Sequence, residues 1–141
     1  MKRLLLFALC LLGASTVWCE QFIKIGGYQA HYMILDTLSL EPEVAAAYGI
    51  TRARDQSILT VSVLDADGKP VDARVTGRAT NLLGVAQTLF FEAITEGESH
   101  YAIAPLKHSE EQMRFSLLVQ PPDGQAHQVK FEQKLYLGIE H

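Results

Sequence analysis

The residues able to do chemistry in this chain are five histidines, sixteen carboxylates and a scatter of serines. The histidines are His31, His100, His108, His127 and His141. No two stand at the i,i+4 spacing that puts two ligands on one helix face, and Cys10 and Cys19 both fall near the N-terminus. No G-x-S-x-G elbow is present, and Ser57, Ser62, Ser99, Ser109 and Ser116 sit in strand or turn contexts that suit structural serines. Asp65, Asp67 and Asp123 read as turn residues, and Glu110-Glu111 as a solvated loop. Gly26-Gly27 is not a phosphate loop, because no helix opens after it. The sequence therefore assigns no catalytic residue, no metal ligand and no cofactor.

One segment could carry recognition. In YGITRARD, Tyr48, Arg52 and Arg54 follow the end of a short helix. Arg and Tyr are enriched at binding hot spots, and a guanidinium is a planar fork of donors. The structural reading is that cations past a helix C-terminus offset its dipole by ~0.3–1 kcal/mol. The binding reading is a ledge that presents two guanidinium groups beside a tyrosine.

The elements that must position this ledge are mostly strands. Residues 58–80 read as a central β-hairpin: an apolar, β-branched run, then Asp67-Gly68 as the turn, then strict alternation. Val71, Ala73, Val75, Gly77 and Ala79 fall on the inner face, with Asp72, Arg74, Thr76, Arg78 and Thr80 outside. Residues 21–25 and 28–35 form earlier strands. Residues 87–95, apolar on both faces, are expected to be a buried central strand, and 100–104 a short strand ended by Pro105. His108 and His127 are placed in loops. Residues 113–120 and 128–137 alternate across a Pro-Pro-Asp-Gly turn and form a C-terminal hairpin. Between the early strands and the centre, Pro42 opens a helix of about two turns that Gly49 stops. So short a helix must dock, and Val44, Ala47 and Tyr48 are the candidates. About seven strands and one short helix predict an all-β, antiparallel, immunoglobulin-like β-sandwich, with a small β-barrel as the alternative.

The N-terminus sets the expected compartment. Lys2 and Arg3 precede the apolar run LLLFALCLLGA, which is shorter than the ~20 residues needed to span a bilayer. Residues 1–19 read as a signal peptide cut after Cys19; a cut after Ser15 or Thr16 comes second, and an N-terminal membrane anchor is the other reading. Residues 20–141 are then a single domain of 122 residues without cysteine. Ten cations remain against sixteen carboxylates. That acidic balance, with no basic run, argues against nucleic acid as partner and against a polybasic membrane-surface module.

EQF-x-x-x-GGY-x-x-HY, PEVAAAYGITRARD and SVLDADGKPV together resemble a family of small exported proteins of Gram-negative bacteria, filed as a domain of unknown function. The most specific piece, P-E-V-A-x-x-Y-G-I-x-R, falls on Pro42, Glu43, Val44, Ala45, Tyr48, Gly49, Ile50 and Arg52. The resemblance implies a periplasmic β-sandwich and brings no activity with it. The expected function is a periplasmic, non-enzymatic binding or adaptor module whose partner is an envelope protein or small ligand. A metal or small-ligand carrier, with a site built across strands from His and Met, is the second reading, and an envelope enzyme the third.

Overall fold

Residues Gln56–Leu64, QSILTVSVL, are apolar or small on both faces. Such a strand requires neighbours on both edges and cover on both sides. The computed structural model, which describes residues 21–139, gives it both. The expected signal peptide with its cleavage region, and His141, lie outside the described residues.

This strand is β3, in a sheet that also holds β1 (Gln21–Ile25), β2 (Tyr28–Asp36), β4 (Pro70–Val71), β7 (Glu92–Glu96) and β8 (Ser99–Lys107). Its order is β1-β2-β3-β8-β7, with β4 pairing the end of β3. The second sheet runs β10 (His127–Leu135), β9 (Glu111–Gln120), β5 (Arg74–Asn81), β6 (Ala86–Leu89). Every pairing is antiparallel. The orders β2-β3-β8-β7 and β10-β9-β5-β6 match the A-B-E-D and G-F-C-C′ arrangement of an immunoglobulin-like sandwich, with β1 added beside A. The expected all-β sandwich is the observed fold, and neither sheet closes into a barrel. Short edge strands raise the strand number above the expected seven or so.

The core lies between the sheets. Leu59, Val61 and Val63 of β3 and Ala102, Ala104 and Leu106 of β8 face Val75, Ala79, Met113, Phe115, Leu117, Val119 and Val129. Tyr32 of the first sheet stacks on Phe131 of the second at 3.8 Å between ring centroids, and Phe131 on Phe115 at 4.7 Å. Burial pushes the Tyr32 phenol above its ordinary pKa.

Three expectations about the strands need correction. The Asp67-Gly68 turn reverses the chain, but only Pro70-Val71 pairs back onto β3. The chain then crosses to the other sheet, where β5 pairs with β9 and β6, so residues 58–80 form an arch rather than a hairpin. β2 and β8 already occupy most of both β3 edges, leaving only its end for β4. Residues 87–95 are not one central strand; they are two edge strands, β6 and β7, and Phe90 is 74% exposed. Pro105 lies within β8 rather than ending it. The Lys107 N–H points away from β3, onto Gln87, so the Pro105 nitrogen two residues earlier points the same way. β7 stops opposite Ile103, and the missing N–H breaks no ladder bond there.

The helix α1 (Pro42–Ala47) follows a 3-10 turn η1 (Thr37–Ser39). It buries Ala45, while Ala47 is exposed, which corrects the expected docking face. By register Ile58 and Ile103 point away from the main core, yet both are buried. Tyr48, at the helix C-terminus, donates its hydroxyl to Glu96 of β7, so the helix covers this outer side of the first sheet.

The inward faces set the stability. Val75→Asp or Phe115→Asp should lower stability by several kcal/mol, out of the ~5–15 kcal/mol a domain has. Arg74→Ala and Lys130→Ala, on the outer side, should stay within ~0.5 kcal/mol. Gly77→Ala should cost ~1–3 kcal/mol, because a Cβ there would meet Leu117 Cδ2 at 2.5 Å and the Ser116 carbonyl at 2.6 Å. Urea melts of these five variants check the order.

Candidate functional site

The loop after α1 is held by Thr37, which is 1% exposed. Its Oγ1 lies 2.9 Å from the Ala53 carbonyl and 2.8 Å from that of Gln56, and accepts the Ala53 N–H at 3.0 Å. On this fixed segment Arg52 donates from Nη2 to the Leu38 carbonyl at 3.2 Å. Arg54 donates from Nε to the Gly138 carbonyl at 3.1 Å, and its own carbonyl accepts the Gly138 N–H at 2.8 Å. Gly138 fits because a Cβ there would meet the Asp36 carboxylate at 2.5 Å. Tyr48, Arg52 and Arg54 thus share one segment, but each addresses a different element: β7, η1 and the chain after β10. Both guanidinium groups remain exposed beyond these bonds.

A second constellation joins Ser57 and His108, each 5% exposed. His108 Nδ1 faces the Ser109 carbonyl at 2.9 Å, which can only accept, so Nδ1 carries the proton. In the neutral ring Nε2 then accepts from Ser57 Oγ at 2.7 Å. This is the geometry that activates a serine, but burial keeps substrate away and a backbone carbonyl stands where a carboxylate would orient the base. The pair instead ties β3 to the link between β8 and β9, with the His108 N–H on the Asp55 carbonyl at 2.9 Å. His108 is therefore not an ordinary loop residue. It continues the parity of Ala102, Ala104 and Leu106, a signal present in the sequence. His31 bonds Gln29 and stacks on Phe22. Among the described residues no group of three or more His, Cys, Asp or Glu could hold a metal ion.

The third feature is the outer side of the second sheet. β5 contributes Arg74 and Arg78, β9 Arg114, and β10 Lys130 and Lys134, all exposed. Register puts Lys130, Ser116 and Arg78 in one row across three strands. In the next row Glu132 and Arg114 form an ion pair at 3.0 Å. Among the described residues Glu132 is the only strand carboxylate on this side, because Glu111 has the parity of Met113 and Phe115. Half of the ten cations after Cys19 therefore stand on one sheet face of an acidic chain. Asp72 and Asp123 lie just outside it, at the Arg74 end. At the opposite end, the β5–β6 turn exposes Leu82 by 68%, Leu83 by 89% and Val85 by 62%. Summed charge hides this face, since alternation separates the cations along each strand.

The chain matches the family model "Domain of unknown function (DUF4426)" over residues 22–138. It is similar to a solved DUF4426 family protein from Pseudomonas aeruginosa, at 30% sequence identity and a TM-score of 0.77, with 85% of this chain and 97% of that one covered. No curated protein matches it.

His108→Ala should destabilise by ~1–3 kcal/mol, since it strands the Ser57 hydroxyl; adding Ser57→Ala should recover part of that loss in denaturant melts. Glu111 accepts from the Ser109 N–H at 2.8 Å and the Ser109 hydroxyl at 2.9 Å. These bonds, backbone first, hold its carboxyl below the usual range. A lowered folded pKa adds stability above the ordinary carboxylate pKa and loses it as pH falls through the folded value. Melting temperature against pH should therefore fall less steeply on the acid side in Glu111→Gln than in the unsubstituted protein.

Proposed function

The chain belongs to the DUF4426 family of domains of unknown function, and we propose that it is an exported, non-enzymatic binding module that works in the periplasm. Lys2, Arg3 and the following apolar run support export. The observation that carries the binding reading is the segregated outer face of the second sheet: Arg78, Arg114, Lys130 and Lys134 with Glu132 as the lone strand carboxylate. Those cations have the outward parity of their strands and are exposed, and a surface patch of one sign raises the local concentration of oppositely charged ligands. The ligand chemistry that fits is anionic. The ledge of Tyr48, Arg52 and Arg54 has its guanidinium groups tied to backbone carbonyls of neighbouring elements, which favours an anchoring role for them.

Two measurements test this. Intact mass of the periplasmic fraction should find the 122-residue chain from Glu20 without lipid; a form keeping Cys19 with added acyl mass would overturn the cleavage reading. The untagged protein, acidic overall, should be retained on immobilised heparin at low salt. Arg78→Ala/Lys130→Ala should abolish retention with an unchanged melting temperature. Arg52→Ala/Arg54→Ala should instead lower the melting temperature and keep retention.

A further inference from the structure

We propose that the basic face of β5, β9 and β10, together with the β5–β6 turn, docks on the headgroup region of an anionic phospholipid bilayer. This rests on the binding-module reading and names the partner.

The turn carries the argument beyond charge. Asn81 organises it with four hydrogen bonds. Its Oδ1 accepts the Leu83 and Val85 N–H groups, each at 3.0 Å. Its carbonyl accepts the Gly84 N–H, and its own N–H reaches the Val85 carbonyl, again at 3.0 Å each. Gly84 supplies the positive φ, 84°, that closes the turn. A rigid tip therefore presents Leu82, Leu83 and Val85 to solvent. Nothing in the fold requires apolar residues there, and adjoining exposed apolar side chains mark interaction sites.

The tip stands beside cations. Thr80, one residue before Asn81, pairs with Arg114, and Lys134 pairs with Gln112 on the same end of β9. Tyr136, 63% exposed, follows Lys134 and lies under its Nζ at 5.4 Å. Leucines at a tip, with lysine, arginine and tyrosine behind them, match the layers of a membrane interface: acyl boundary, then phosphates. A polyanion without apolar surface, such as an acidic polysaccharide, would use the cations and leave the leucines wet. The carboxylates at the far end, Asp72 and Asp123, favour approach by the leucine end. Edge protection explains lysines on the edge strand β10, but not Arg78 and Arg114 on interior strands.

The test is co-sedimentation of the untagged, exported protein with phosphatidylcholine vesicles, with or without phosphatidylglycerol. Binding should require phosphatidylglycerol and weaken with salt. Arg78→Ala/Lys130→Ala should reduce partitioning about twenty- to thirty-fold, since each cation near such a surface contributes about fivefold. Leu82→Ser/Leu83→Ser should reduce it further while leaving heparin retention intact. Retention on heparin without vesicle binding would overturn the lipid proposal and leave the anion-binding face standing. Failure on both would overturn both. Vesicle binding indifferent to the leucines, with equal binding to polyglutamate, would assign the face to an acidic macromolecule instead. Melting temperatures of all variants should match the unsubstituted protein, and a variant that fails this is replaced by Arg114→Gln or Leu83→Asn.

Discussion

The stack of Tyr32, Phe131 and Phe115 is where the two sheets interlock, and the register of the second sheet depends on it. β9 and β10 pair so that Phe115 lies opposite Phe131. Strand side chains alternate, so this one pairing sends Arg114, Lys130, Glu132 and Lys134 outward. A one-residue slip of β10 against β9 would turn Lys130 and Lys134 into the core, where an unpaired charge costs several kcal/mol. The aromatic contacts and the basic face are consequences of the same register. Packing on one side fixes the charge pattern on the other.

Outside the main core, the connections are held by single polar groups. Thr37 fixes the loop after α1, His108 joins β3 to the β8–β9 link, and Arg54 holds the chain at Gly138. Gln87 does the same between sheets. Its amide donates to the Lys107 carbonyl at 2.6 Å and accepts the Lys107 N–H at 3.0 Å. It stands in for a peptide unit and continues the β8 edge where β7 has ended. With strands so short at the edges, side chains complete hydrogen bonding that a longer strand would supply.

Alternation was legible in the sequence wherever one side of a strand is buried. Residues 74–81, 113–120 and the C-terminal strand face as their period of two requires. Partner choice was less legible. Asp67-Gly68 marks a reversal, but turn chemistry does not say which strand follows alongside, and β3 takes its long neighbours from distant parts of the chain. In residues 87–95 apolar content does not translate into burial: Phe90 is exposed and the run breaks between sheets. The inward placement of Ser57 and His108 was readable from parity, but their hydrogen bond was not, because it depends on β3 lying beside β8. The charged face was not, because it joins β5 to the C-terminal hairpin of β9 and β10, which lies about thirty residues further along the chain.

That last point bears on net charge as a guide to partners. The ten cations and sixteen carboxylates after Cys19 argue against a basic interaction surface only if they are mixed. Screening limits each charge to about 8–10 Å at physiological salt, so a ligand on one sheet face senses that face and little of the opposite one. The Arg114–Glu132 pair, with side chains 67% and 54% exposed, adds little stability, so stability does not account for its place. Edge protection does not account for the whole pattern either. The edge strand β6 bears no charge, and it is preceded by the exposed Leu82, Leu83 and Val85. Arginines on the interior strands and exposed leucines at the turn leading into an uncharged edge strand are the reverse of what edge protection alone would place there.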